Sequence, residues 1–304
     1  MAYLMYSLSS ILLMIGLATL LHLQFGVTGI VNFGIVGFWG IGLYGMGVFL
    51  TTLHIPYILA LLMAVALTGV IALGLGAIIL KMDGQAVLVA TLAFATIMKN
   101  LAVTEKWLTK GVKGMGTVPF PFQIGRYSDI LFFAILLIIV GILIIYTYKL
   151  EAAPYGRLLA SIQDNETLAR GLGKSTFRHK LIFFTLTSAI VGMFGVLSAS
   201  LDHFLVPRML DPGLTFTVWI ALILGGRKRV LGGLVGAIIT LGIFDLLIET
   251  YAPIPSAYAQ VVPAIKYSLY GLTLLLILMF RPEGLLGAKK KNITGNLIGR
   301  VGRN

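Results

Sequence analysis

The sequence predicts an all-α, polytopic membrane protein with about eight or nine transmembrane or re-entrant helices. Three observations predict it. The 304 residues are 58% hydrophobic and only 11% charged, with a mean hydropathy of +0.99, whereas a soluble domain carries about 25% charged residues. Apolar runs recur at the roughly 20-residue length that a helix needs to cross a hydrocarbon core of about 30 Å. The cations cluster between particular runs rather than spreading along the chain.

The runs are justified in order. The first, 3–25, precedes any Lys or Arg (the first is Lys81), so it lacks the basic leader of a signal peptide, and no small-residue cleavage site follows it. It is expected to be a retained span. The second, 27–53, begins in a stretch holding eight glycines between 26 and 47. Runs 55–81, 86–103 and 130–150 follow, then 181–203 and 231–250, and 262–280 closes the series. A shorter piece, 213–226, ends at Arg227-Lys228-Arg229 and is either a short helix or a re-entrant element. Residues 104–129 form a Gly- and Pro-rich loop, 151–180 the largest connection on the other side, and 282–304 a basic tail. One transmembrane domain, 1–287, with residues 288–304 hanging beyond it, accounts for the whole pattern.

Orientation follows the cations. With 151–180 in the cytoplasm, the inner side holds 16 of the 23 Lys and Arg against five acids, and the outer side seven against six. Counting 213–226 as a crossing places the N-terminus outside. The basic excess is therefore topology and not a nucleic-acid footprint. Absence of Cys excludes disulfides and thiolate chemistry. The four His are scattered without a metal-binding spacing. Neither Gly-x-Ser-x-Gly nor a phosphate-cradling Gly-x-x-x-x-Gly-Lys motif occurs, so a hydrolase or an ATPase within this chain has no support.

Chemistry is expected in few places. Gly40-x-Gly42-x-x-Gly45 spells a dinucleotide-binding string but has neither the strand before it nor the charged βαβ unit after it. Glycines at this spacing let membrane helices approach closely, or let a helix break where backbone lines a cavity. Asn32, Phe33, Gly34 and Gly37 are therefore candidates for a translocation pathway. Asp245 and Glu249, one turn apart near an outer helix end, are either an interfacial pair bridged to Lys266 or groups near an outer gate. Lys99 is expected to snorkel, and Asp202-His203 to lie at the interface. The inner connection is sharper. Residues 155–173 read as one amphipathic helix opened by Pro154 and ended by Gly171 or Gly173, with a stripe of Leu158, Ile162, Asn165, Ala169 and Leu172 and a Glu166–Arg170 pair at i,i+4. Such a helix either docks on the membrane surface or acts as a lever for a partner.

Followed by Arg178-His179-Lys180-Leu181, this loop resembles the ATPase-contacting loop of branched-chain amino acid ABC permeases. Gly116-Thr117-Val118-Pro119, Leu224-Gly225-Gly226 with Gly232-Gly233-x-x-Gly236-Ala237, and Arg281-Pro282-Glu283-Gly284-Leu285-Leu286-Gly287 agree in order with that family. Thr109-Lys110-Gly111 departs from it where a second Gly is usual. Val31-Asn32-Phe33-Gly34 is similar to one of two sister permeases and the inner loop to the other; urea and short-amide importers are relatives. The resemblance implies a type II importer subunit in the cytoplasmic membrane, paired with an identical or sister permease. Two cytoplasmic ABC ATPase subunits would bind the ATP, so this chain needs no cofactor, and an extracytoplasmic solute-binding protein would deliver the cargo. It further implies an ATPase contact through Arg157, Ile162, Asn165, Glu166, Ala169, Leu172 and Gly173. The expected function is uptake of a small neutral or zwitterionic solute, an aliphatic amino acid first. A secondary transporter or channel working alone is the rival reading.

Overall fold

This computed structural model describes residues 2–116, 118, 127–245, 262–280 and 284–287. Six of its helical stretches are long and apolar enough to cross a membrane: Leu4–Val27, Ile35–Thr52, Tyr57–Ile79, Gly84–Thr104, Ser128–Ala152 and Thr176–Asp202. In chain order the helices are α1 (Ala2–Leu21), α2 (Ile35–Gly47), α3 (Tyr57–Ile79), α4 (Gly84–Thr104), a single-turn α5 (Lys106–Thr109), α6 (Ser128–Ala152), α7 (Pro154–Asp164), α8 (Glu166–Gly171), α9 (Thr176–Asp202), α10 (Pro212–Gly225), α11 (Val230–Ala237) and α12 (Val262–Phe280). Widened π-type turns extend α1 over His22–Val27, α2 over Val48–Thr52 and α11 over Ile238–Asp245. No strand occurs among the described residues.

Lipid tails are as apolar as leucine, so these helices are held by close contact and interhelical hydrogen bonds rather than by water exclusion. The α2–α9 pair shows how. A methyl group at Gly42 would land on the Gly192 carbonyl, and one at Gly195 on the Trp39 carbonyl. The two backbones therefore touch, and Trp39 Nε1 donates to Ser198 Oγ across the contact at 3.0 Å. Helix α3 reaches the same partner through Ala60, Ala64, Thr68, Ala72 and Gly76, all buried at four-residue intervals. Its Tyr57 hydroxyl meets Ser200 Oγ at 2.7 Å, while Ile58, Leu62, Val70 and Ile78 on its other side are exposed, as lipid-facing residues should be. Helix α1 lies against α6, α9, α10 and α11.

The 213–226 piece is a short helix, α10, and not part of a longer span. At 14 residues it is only about 21 Å long. It nevertheless runs between the two ends of the bundle. At its start Asp211 pairs with Lys99 Nζ at 2.8 Å, so Lys99 is held in an ion pair rather than simply reaching for water. At its other end Gly226 (φ +115°) turns the chain back into α11. The two helices form an antiparallel hairpin at backbone contact, with Gly225 against the Gly232 carbonyl and Gly236 against the Ala221 carbonyl. Leu285 and Leu286 cover the hairpin by donating to the Leu224 and Gly225 carbonyls at 2.9 and 3.0 Å.

Elsewhere the boundaries shift. The predicted 27–53 run is not one helix: residues 28–34 are non-helical and α2 starts at Ile35. Helix α9 begins at Thr176, five residues before the predicted run. The connection after α4 contains α5, a turn at Gly111–Lys113, and a two-residue ladder in which Met115 and Leu205 exchange hydrogen bonds at 2.7 and 2.8 Å. Asp202 and His203 are tied in rather than merely interfacial: Tyr6 donates to Asp202 Oδ1, and the His203 ring bonds the Val118 carbonyl. The Asp245 side chain, Glu249, Pro119, Arg281-Pro282-Glu283 and the 288–304 tail lie outside the described residues.

The backbone contact yields a prediction. Gly42→Leu cannot be accommodated by a side-chain rotation, because its obstacle is the α9 main chain, and should lower stability by about 3 kcal/mol. Gly74→Ala, facing open space on α3, should be neutral or stabilising by up to about 1 kcal/mol. Thermal unfolding of the detergent-solubilised protein separates the two.

Candidate functional site

Between α1 and α2 the helix stops for residues 28–34, and where this connection is buried its backbone groups must be satisfied within the protein. Two buried amides do this. Gln24 Nε2 donates to Thr187 Oγ1 at 2.9 Å and to Ser188 Oγ at 3.2 Å on α9. Gln24 Oε1 accepts from Asn32 Nδ2 at 2.8 Å, and Asn32 Oδ1 accepts the Gly34 N–H at 2.7 Å. Trp219 Nε1 on α10 donates to the Asn32 carbonyl at 3.0 Å, and the Phe33 N–H reaches Thr91 Oγ1 on α4 at 2.9 Å. Gly29 supplies the left-handed turn, at φ +73°. Of the predicted pathway residues, Asn32 is thus fully buried and structural. Gly34 and Gly37 are packed against Thr91 and Phe94, and Phe33 is partly buried. Phe33 stacks on Trp219 at 4.6 Å between ring centroids, with Phe216 beyond it at 5.6 Å and Phe25 on the far side of Trp219 at 4.8 Å. The Arg227 guanidinium sits 5.4 Å from the Phe25 ring centre.

A second constellation, absent from the sequence reading, stands beside the break. His22 is 1% exposed; its Nδ1 lies 2.9 Å from the Arg227 carbonyl and its Nε2 2.6 Å from Glu151 Oε1 at the end of α6. The carbonyl can only accept, so Nδ1 carries a proton, and the contact with the carboxyl group needs one of its own. This joins α1, α6 and the α10–α11 turn at one point. The available signal was a lone His inside an apolar run, where an ionisable group is costly and needs a partner.

The connection between α6 and α9 is two helices rather than one. Asn165 (φ −155°, ψ 95°) interrupts it, and its side chain caps α8 by accepting the Leu168 N–H at 2.9 Å. The predicted stripe changes accordingly. Gly156, Leu159 and Ile162 face inward on α7, and Ala169 on α8. Leu158 is only half-buried. Asn165 and Gly173 are exposed, and Leu172 is 72% and Leu168 61% exposed. Pro154 does open α7. Arg157 is exposed and bonds the Ala152 carbonyl at 2.7 Å. Glu166 pairs with Arg170 at 3.2 Å, as predicted, and also with Thr176 Oγ1 at 3.0 Å and with Lys180. It is an internal strut between α8 and α9. Partial burial pushes its carboxyl up, but the Lys180 bond and charge, with Thr176 and Arg170, outweigh this and hold its pKa below the ordinary value. On the α7 side, Gln163 Nε2 donates to the Phe25 carbonyl at 3.1 Å.

Two cavities flank these elements. One of about 380 Å³, in the half away from the loop, has apolar walls including Tyr44, Leu67, Ile71 and Met98. The other, of about 200 Å³, is lined by Gly29, Ile30, Val31, Asp83, Glu166 and Lys180, among others, and so joins the break to the inner loop. No cluster able to hold a metal ion occurs among the described residues.

An all-helical bundle with six helices long and apolar enough to cross a membrane, and a loop bonded to the connection between the first two, defines a multi-pass membrane protein. Residues 2–278 match the family described as "Branched-chain amino acid transport system / permease component", and the chain belongs to it. It is 25% identical over 239 residues to the high-affinity branched-chain amino acid transport system permease protein LivM of Escherichia coli, covering 70% of this chain and 53% of that protein. A probable branched-chain amino acid transport permease protein LivM of Methanocaldococcus jannaschii is 25% identical over 75% of this chain and 69% of its own length. The probable LivH permease of the same organism is 27% identical over 69% and 66%. The chain thus spans about half the length of the bacterial relative. No solved structure matches it.

Three outcomes follow. Asn32→Ala leaves Gln24 Oε1 and the Gly34 N–H unpaired in the core and should cost about 1–3 kcal/mol. Thr187→Val should cost less, because Gln24 keeps Ser188, and both are read by thermal unfolding. Since the Glu166 pKa is depressed on folding, its contribution is complete above the unfolded value of about 4.3 and is lost as pH falls through the lower folded value. Hydrogen-exchange protection of α8, corrected for intrinsic rates, should hold between about pH 7 and 5 and drop only under stronger acid.

Proposed function

We propose that this chain is the membrane-spanning subunit of an ATP-driven importer for small neutral amino acids, branched-chain ones first, with α7–α8 as the element that a partner ATPase moves. One observation carries the reading. Leu168 and Leu172, one turn apart, stand exposed on the inner loop, while the opposite side of that loop is bonded to the helix break through Gln163 and to α9 through Glu166. An exposed apolar pair on a short loop helix suits insertion into a protein groove. The inward bonds convert a push on the pair into a displacement of the break. The chain has no phosphate-binding motif of its own, so ATP acts through two cytoplasmic ATPase subunits. A second permease, identical or sister, completes the membrane unit, and an extracytoplasmic binding protein selects the cargo. The membrane is the cytoplasmic one, with α7–α8 on its inner side, and the fold is that of a type II importer. Phe33 and the ring stack around it offer faces to an aliphatic side chain. A channel working alone would leave the Leu168–Leu172 pair without a role.

Leu168→Glu with Leu172→Glu removes the apolar pair without opening a core cavity. It should weaken ATPase docking by about 2 kcal/mol or more, seen as lost co-purification and lost ATP-driven uptake in proteoliposomes, while membrane insertion is unchanged. Undiminished co-purification would refute the docking role. Glu166→Lys acts differently, by cutting the strut to α9.

A further inference from the structure

The smaller cavity brings together parts that the sequence keeps far apart. Its wall contains the broken-helix backbone at Gly29–Val31, the α3–α4 turn with Asp83, and the ion pair between Glu166 of α8 and Lys180 of α9. Glu166 belongs to the inner loop, yet it faces the same space as the break. The loop holds this region at two points, Gln163 on the Phe25 carbonyl and Glu166 on Lys180 and Thr176. On the other side Lys81 sits 5.5 Å from the centre of the Phe177 ring, fastening the α3–α4 turn to α9.

We infer that the Glu166–Lys180 pair latches the cytosolic exit of the permease, and that the cavity it lines receives the departing solute as a zwitterion. The inference rests on the importer reading above. Pulling α8 away from α9 separates Glu166 from Lys180, and two separated, partly buried charges are unfavourable unless each finds a new partner. A zwitterion supplies both. Its carboxylate takes the Lys180 ammonium, its ammonium takes Glu166 or Asp83, and the internal pair is exchanged for two pairs with the solute. A neutral amide such as urea replaces neither charge. The latch therefore selects the zwitterion class at the exit, independently of any binding protein, and re-forms once the solute has left.

This chain has no Cys of its own, so introduced thiols are the only ones it carries. In the complete complex in proteoliposomes, with leucine as the probe, Glu166→Gln and Lys180→Gln should each raise ATP-independent leucine leak severalfold. The exchange Glu166→Lys with Lys180→Glu should bring the leak back toward wild type. Bridging Glu166→Cys and Lys180→Cys with a short reducible methanethiosulfonate cross-linker should stop ATP-driven uptake, and reductant should restore it, so a readout remains even if the glutamine variants do not fold. Leucine on the cytosolic side should slow thiol labelling of Asp83→Cys more than urea at equal concentration does. Unchanged leak with uptake indifferent to the cross-link overturns the latch while leaving the importer reading intact. Equal protection by leucine and urea overturns the zwitterion assignment. A wild-type complex that does not accumulate leucine with ATP overturns the importer reading, and the latch with it.

Discussion

The chain between the first two spans leaves helical form while still largely buried in the bundle. Each backbone group it releases must find a partner within the protein, and the pairing of Gln24 with Asn32 is what permits the stop here. The two amides occupy each other and leave bonding capacity for Thr187, Ser188 and the Gly34 N–H. Trp219 and Thr91 take up two more groups from neighbouring helices. With the break fixed at that point, α2 is aimed at α9, Phe33 is set on the Trp219 ring, and the backbone at Gly29–Val31 becomes a cavity wall instead of an interior turn.

Around this point the molecule divides into parts with different freedom. Helices α2 and α9 meet main chain to main chain, and α3 packs on α9 through Gly, Ala and Thr, so α2 and α9 shift relative to one another only by parting. The α7–α8 loop is attached by polar bonds near its middle, at Gln163 and Glu166, and by a few inward side chains, Leu159, Ile162 and Ala169. Attachments of that kind can be exchanged for others at similar energy, a requirement for any element with two working positions.

Much of the scaffold was legible in the sequence because composition speaks directly for burial in lipid. The long spans announce themselves by length, and the basic clusters mark one face. The inner loop was legible in kind and misjudged in detail. A continuous helix was assumed across Asn165, although Asn followed by Glu166 is an N-cap signal, and the single helical period laid through both halves put Leu158 inward where Leu159 belongs. The four-residue run of small side chains from Ala60 to Gly76 was readable and simply overshadowed by the denser glycines before it. His22 was marked by its place in an apolar run, but its partner Glu151 could not be read. Partners 129 positions apart leave no local trace, and only the packing of α1 against α6 brings them together.

The hairpin of α10 and α11 carries a mechanical corollary. Two rods whose main chains touch along their length have no compliant side-chain layer between them, so they cannot slide or shear past one another. Such a piece can only pivot whole. A tilt started where Asp211 grips Lys99 must reappear, reversed in direction, where the Arg227 carbonyl meets His22, which makes the hairpin a rocker arm joining the two ends of the bundle.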